Sequence, residues 1–281
     1  MISSSRPVTI HEVADHYDEL DRYYREIWGE HVHHGLWERG DETTEEAVLN
    51  LIRSVARRGE IGAGQRVCDV GCGYGGTARV LASEFGAIVS AITLSAAQYR
   101  YAIAQGGGGR NPDYLLGDWA NNELPSGVFD AVISIESSEH MQEKPVFFAQ
   151  AHRVLKADGR MVVCAWLAAE NPTSAHRRHL LEPICREGRL PGMGSETDYR
   201  RWLADAQFRL ENFEDVSVHV RRTWSICLGR LLTSLFCRPG YVRFLISARA
   251  RNRVFLLTVA RMWLAYALGA MRYGIFTASK R

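Results

Sequence analysis

The sequence predicts an α/β chain built on a seven-stranded sheet with helices on both faces, and three observations carry that expectation. Short, continuously apolar stretches alternate with helical ones between residues 66 and 166. The first of these stretches runs into a turn with four glycines in six positions, Gly71-Cys72-Gly73-Tyr74-Gly75-Gly76, and then into a helix. Two later segments, 213–220 with period-two alternation and 272–279, bring the strand count to seven. Strands that are apolar throughout are buried on both faces, as in a parallel sheet wrapped by crossover helices. Right-handed crossovers leave little topological freedom, and ligands then bind at the carboxyl ends of the strands.

Taken in order, residues 1–65 form an N-terminal helical lid, with amphipathic stretches at 11–28 and 43–58. The second opens Thr43-Thr44-Glu45-Glu46, acidic residues suited to the positive end of a helix dipole. Between the two lies Trp28-Gly29-Glu30-His31-Val32-His33-His34-Gly35-Leu36-Trp37, an aromatic and His-rich loop. Residues 66–220 form the core, with strands at 66–70, 88–94, 114–116, 129–135 and 160–166. Helices are expected at 77–85, 95–104 and 145–155, the last stopped by Asp158-Gly159, and residues 106–109 form a four-glycine tether. A helix at 198–206 and a sixth strand at 213–220, with period-two alternation, complete the core. Residues 221–270 are apolar, helical and basic and form a cap; residues 271–281 supply the last strand.

Composition narrows the class. With 46% hydrophobic and 23% charged residues, the 281-residue chain is an ordinary folded protein long enough for one large domain with a cap. The net charge of +2 hides an asymmetry: residues 221–281 hold eleven Arg, one Lys and no Asp or Glu, so the acidic excess lies in the first 220. That suggests an anionic or interfacial neighbour for the C-terminal segment. The stretch 255–276 is interrupted by Arg261 and Arg272, which argues against a spanning helix and for a cap lying on a membrane surface. Six cysteines show neither a C-x-x-C pair nor a disulfide framework, and His31, His33 and His34 lack the partners of a zinc site, so no metal is expected. No N-terminal secretory h-region is present, which leaves the cytoplasm by default.

Four segments carry chemistry, all at expected strand ends. In Val67-Cys68-Asp69-Val70-Gly71-Cys72-Gly73-Tyr74-Gly75-Gly76-Thr77, glycines allow a sharp turn and close approach of a ligand to backbone, and the helix that follows presents free N–H groups. No Gly-Lys-Ser/Thr follows, so this is not a phosphate-binding P-loop. After the second strand comes Thr93-Leu94-Ser95-Ala96-Ala97-Gln98, where Ser95 also suits a helix N-cap. After the third comes Gly117-Asp118-Trp119, and after the fourth Glu136-Ser137-Ser138-Glu139-His140-Met141. A His beside carboxylates is placed to exchange protons near neutral pH; a Glu-rich helix start is the plainer alternative.

D-V-G-C-G-x-G-G resembles the first motif of class I S-adenosylmethionine methyltransferases, a Rossmann-like fold. T-L-S-x-x-Q, G-D-W and E-x-x-E-H-M resemble the tocopherol, coclaurine-type and cyclopropane fatty acid subset, and W-G-x-H-x-H-H-G-x-W resembles the entry segment of γ-tocopherol-type enzymes. The resemblance implies that Gly71, Gly73 and Gly75 make room for the methionine moiety, with Asp69 near its ammonium. Thr93, Leu94 and Gln98 would serve the ribose, Asp118 the adenine amino group and Trp119 the ring. Tyr17 and the 33–37 stretch would lie over S-adenosylmethionine as a lid. Glu139 and His140 would act as the base, with Glu136 positioning substrate. The implied activity is methyl transfer to a small, largely apolar acceptor through a phenol or quinol carbon, a hydroxyl or an amine. Isoprenoid or lipid C-methylation and a non-catalytic S-adenosylmethionine-binding protein remain open; nucleic acid is discounted because the asparagine-proline-proline-aromatic motif is missing.

Overall fold

A computed structural model describes residues 1–4, 7–106, 111–247 and 255–281, apart from the side chains of 245 and 255–257. The strands are β1 (Ile2–Ser3), β2 (Arg66–Val70), β3 (Ile88–Thr93), β4 (Asp113–Leu116), β5 (Phe129–Ile135), β6 (Leu155–Ala168), β7 (Gly192–Met193), β8 (Phe208–Asp215) and β9 (Met271–Lys280). Seven of them form one sheet in the order β4-β3-β2-β5-β6-β9-β8, and β1 pairs with β7 apart from it. Pairing is parallel from β4 to β6 and antiparallel where β9 inserts between β6 and β8. The order reverses at β2, so the crevice beyond its carboxyl end is the switch point where such sheets bind ligands. The expected seven-stranded sheet is therefore the one observed.

The helices are α1 (Ile10–Ile27), α2 (Thr44–Arg58), α3 (Gly76–Phe85), α4 (Ala96–Ala104), α5 (Lys144–Val154), α6 (Ser174–His176), α7 (Glu182–Glu187), α8 (Glu196–Asp205), α9 (Ser217–Val220), α10 (Arg222–Cys237), α11 (Pro239–Ile246) and α12 (Phe255–Ala267). Among the described residues no helix is long and apolar enough to cross a membrane. Thr9 and Thr43 cap α1 and α2 with reciprocal Glu12 and Glu46 contacts, each satisfying two orphan N–H groups. Helix α1 lies over the carboxyl edge of the sheet. Its Asp18 accepts from Ser95 Oγ (2.5 Å) and from the Ala97 N–H at the start of α4, and its Asp21 accepts from Tyr74 Oη (2.9 Å).

Three expectations are corrected. The sixth strand is not 213–220: it starts at Phe208 and ends at Asp215, whose carboxylate accepts from the Ser217 N–H (3.0 Å) and opens the helical turn α9. Asp158-Gly159 does not end the preceding helix, because β6 already begins at Leu155 and crosses these residues, with Asp158 at φ 61°. A helical run from Ser174 to Glu187, one stretch of it π-helical, fills the segment after β6 where no element was expected. Of the 106–109 tether only Gly106 lies within the described residues.

The glycine turn shows what each glycine is for. Gly71, Gly73 and Gly75 all adopt left-handed φ, between 55° and 78°. A Cβ on Gly71 would stand 2.2 Å from the Ser137 Cβ, one on Gly75 2.5 Å from Tyr114 Oη, and one on Gly76 2.5 Å from His31. A Cβ on Gly73 would meet nothing nearer than Gln98 Nε2 at 3.9 Å. Three of the four are small because protein fills their space; Gly73 alone faces open room. Gly71→Ala should therefore destabilise the fold by roughly 2–4 kcal/mol from overpacking and backbone strain together. Gly73→Ala should lose only about 1–2 kcal/mol, the strain of a left-handed alanine. Paired denaturant titrations check this, and equal losses would contradict it.

Candidate functional site

Two cavities meet at the carboxyl edge of the sheet. The larger, about 450 Å³, opens beside Gly71 and Gly73 of the turn and beside Thr93, Leu94 and Gln98 after β3. It continues past Asp118 and Trp119 after β4, and Tyr17 of α1 covers it. The narrower, about 30 Å³, has aromatic walls from Tyr24, Trp28, Trp166 and Trp224, with Met262 of α12 at its cap side. Tyr17, Val32, Glu136 and His140 line both.

Local contacts preset the larger cavity. Gln98 Oε1 accepts from Thr93 Oγ1 (2.8 Å), so the amide nitrogen is the end that faces Gly73. Ile92 carbonyl takes the N–H groups of Gly71 and Cys72, pinning the turn to β3. Asp118 caps the short helical turn that follows it, accepting from the Ala120 N–H (2.9 Å) and Asn121 Nδ2 (2.7 Å). Trp119 is buried, its indole N–H bonded to the Phe147 carbonyl (3.1 Å). Open space at Gly73, a donor amide at Gln98 and a carboxylate at Asp118 fit a long polar molecule such as S-adenosylmethionine.

Glu136 stands where the cavities meet. It holds left-handed φ of 55°, unusual for a residue with a side chain, and its N–H is fixed by the Cys164 carbonyl (2.9 Å). Its Oε1 accepts from the His34 N–H (2.7 Å) and Tyr273 Oη (2.7 Å), and its Oε2 from Trp166 Nε1 (2.8 Å). His34 Nδ1 lies 2.9 Å from Oε1, at ion-pair distance but off the hydrogen-bond axis. Burial alone would push this carboxyl up; the electrostatic pull and hydrogen bonds of His34, with His33 adding, outweigh it and hold it well below its usual range.

His140 Nε2 and Tyr17 Oη are 2.7 Å apart, and Tyr17 also stacks on Tyr24 at 5.3 Å. Burial, then His16 and Lys144, takes the His140 imidazole down to about 3, so it is neutral at ordinary pH. Lys144, buried on α5, donates to the carbonyls of Glu139 and Met141 at 2.7 Å each and so clamps the loop that carries His140.

Not every expected site residue reaches the cavities. Glu139 is buried with its carboxylate on the Trp166 N–H and Ser138 Oγ, so it does not pair with His140, whose Nε2 belongs to Tyr17. Burial raises the Glu139 carboxyl and lowers the Lys144 ammonium. Asp69 lies in the strand under the turn rather than at the cavity wall; its Oδ2 has no hydrogen-bond partner, and burial raises it to about 7. Gly75 packs on Tyr114 and leaves no room for ligand. The 33–37 stretch is no lid: it is buried and tied elsewhere, Gly35 to Thr223, Leu36 to Ala47 and Trp37 to His219. Conversely, Trp166 and Tyr273, which no local motif marked, surround Glu136 together with His34 of the His-rich loop.

Comparison with known proteins bears on these observations. A protein-family model described as mycolic acid cyclopropane synthetase matches residues 4–235. Tocopherol O-methyltransferase of Arabidopsis thaliana is 30% identical, over 95% of this chain and 81% of the relative. The 2-methyl-6-phytyl-1,4-hydroquinone methyltransferase of Synechocystis is 26% identical, over 96% of this chain and 87% of the relative. The cyclopropane synthase MmaA2 of Mycobacterium tuberculosis superposes with a TM-score of 0.83 at 22% identity, over 99% of this chain and 100% of that one, a likeness of fold. The chain belongs to the mycolic acid cyclopropane synthetase family and, within it, to the tocopherol methyltransferase group of class I S-adenosylmethionine-dependent methyltransferases.

Proposed function

We propose that this chain moves a methyl group to a small, largely apolar acceptor carrying a phenolic, hydroxyl or amine group, presented where the two cavities meet. The observation that carries this reading is the meeting of the two cavities at Tyr17, Glu136 and His140. S-adenosylmethionine, when bound in the larger cavity, supplies an electrophilic methyl group on a positively charged sulfonium. Gly73 leaves its methionine end room at the backbone, with Gly71 beside it at the cavity wall. Thr93, Leu94 and Gln98 serve the ribose, and Asp118 and Trp119 the adenine. The chain's remaining work is alignment and exclusion of water, which the aromatic walls perform. His140 Nε2 is the basic atom at the junction; an acceptor O–H or N–H takes the place of the Tyr17 hydroxyl and gives up its proton there. Glu136 Oε2, which receives one N–H, keeps a second lone pair for the acceptor or the positive charge beside it. Glu139 holds the Trp166 backbone from behind.

The walls also weigh on the acceptor's charge. Among the described residues no Arg or Lys lines either cavity, whereas Glu136 lines both. Among the described lining residues an anionic head group would meet a carboxylate without a counter-charge, which disfavours the alternative of isoprenoid or lipid C-methylation. The names of the two relatives, a tocopherol and a hydroquinone methyltransferase, point toward a phenolic acceptor. A base-lined second cavity also favours catalysis over simple S-adenosylmethionine binding.

A peripheral membrane contact is part of the proposal. Leu232, Phe236, Val242, Ile246, Trp263 and Leu268 are exposed large apolar residues of the cap, and residues 221–281 contain no acid. An anionic lipid surface suits both features.

Four measurements test these statements. Calorimetric titration with S-adenosylhomocysteine should give micromolar binding that Gly73→Arg abolishes and His140→Ala changes by less than about threefold. Methyl transfer by His140→Ala should fall by about 100-fold or more, the usual contribution of a positioned base. A folded wild type that binds no S-adenosylhomocysteine would sink the reading. The rate should show no imidazole inflection near the ordinary His value, because His140 is already neutral above about 3; protonation slows transfer only as pH falls toward that value. An inflection between pH 6 and 7 that disappears in His140→Ala would show a protonatable, wetter imidazole. In flotation assays the protein should rise with anionic vesicles and not with zwitterionic ones, and Phe236→Asp with Ile246→Asp should abolish flotation. Flotation unaffected by these changes would remove the cap from the membrane.

A further inference from the structure

Trp224 sits on α10, in the cap, and its indole N–H points at His34 Nε2 over 2.6 Å. An indole nitrogen has a hydrogen and no lone pair to offer, so Nε2 must accept and the imidazole hydrogen must sit on Nδ1. That nitrogen faces Glu136 Oε1 at 2.9 Å, and the His34 backbone N–H reaches the same oxygen. The other tautomer would turn a lone pair toward the carboxylate. His34 is held in this orientation by ring contacts with Trp224 (centroids 5.3 Å), Tyr273 (4.9 Å) and Trp166 (6.0 Å).

We propose that Trp224 is a positioning residue for methyl transfer: it fixes His34 as the Nδ1–H tautomer, which holds the Glu136 carboxylate at the junction of the two cavities. Trp224 also lines the narrower cavity. An acceptor that presses on α10 therefore reaches the carboxylate through one hydrogen bond, Trp224 to His34, and one close Nδ1–Oε1 approach, and the cap becomes part of the reacting centre's geometry. The inference rests on the methyl-transfer reading for what Glu136 does, and on the Trp224–His34–Glu136 contacts for how it is held.

Trp224→Phe keeps an aromatic ring and removes only the N–H. In nitrogen-15 spectra of histidine-labelled protein, with His34→Asn to assign its resonance, wild-type His34 should show the Nδ1–H pattern, and Trp224→Phe should convert it wholly or partly to Nε2–H. The kcat of Trp224→Phe should fall about tenfold with S-adenosylhomocysteine affinity unchanged, the size expected for one hydrogen bond that orients a reacting group. His34→Asn can offer its amide N–H to Glu136 without help from Trp224. In that background Trp224→Phe should lower kcat no further. The proposal is overturned if wild-type His34 is the Nε2–H tautomer, or if the tenfold loss persists in the His34→Asn background, which would assign Trp224 to packing. Because the tautomer is read without turnover, failure of methyl transfer itself would overturn the function proposed above and leave this assignment standing or falling on its own spectrum.

Discussion

Glu136 is a buried carboxylate, and most of what is distinctive in this chain answers to it. An ionised group taken out of water without partners is destabilising by several kcal/mol, so a fold that keeps one must bring donors to it. Here the donors come from three directions: His34 from the segment before the core, Trp166 from the end of β6 and Tyr273 from β9. Trp166 and Tyr273 are cross-strand partners in the antiparallel pair, which places two donors side by side at one edge. The strained φ of Glu136 persists because each of these contacts, and the Cys164 carbonyl, determines its position again. The segment carrying His34, the sheet and, through Trp224, α10 thus share one polar anchor.

Much of the fold was legible because parallel strands advertise themselves as apolar runs. Residues 129–135 are such a run and emerge as β5 without adjustment. Elements were missed where tertiary pairing overrides local pattern. β6 extends back to Leu155 because Leu155 pairs with Phe129 of β5 and not because Leu155-Lys156-Ala157-Asp158 resembles a strand. β8 is displaced toward the N-terminus because β9 pairs with Phe208 through Asp215, and Asp215 then starts a turn with Ser217.

The site was legible in the same uneven way. Residues just beyond a strand, such as Thr93, Gln98 and Asp118, fall on the cavity because strand ends always do. Long-range pairing leaves no local mark: the His-rich loop shows His34 but not its partner Glu136, 102 residues on, and Tyr273 lies 137 after Glu136. Adjacency misled in one case, since Glu139 and His140 are neighbours in the chain yet face different partners. The glycines misled in another, because a ligand and the side chains of Ser137, Tyr114 or His31 ask for the same missing Cβ.

The placement of β9 has a consequence for how the molecule comes into being. Strands β2 to β6 pair by crossovers between near neighbours in the chain, and the larger cavity needs little beyond them and α1. The reacting centre is different, because Tyr273 enters only when β9 slides between β6 and β8. Contacts of such long separation carry a large loop-closure penalty and form late. During synthesis Tyr273 must emerge, 137 residues after Glu136, before the carboxylate receives its last donor. The cofactor half can take shape early, while the carboxylate stays wet and solvated, so competence arrives with the final strand and is withdrawn first when that strand peels away.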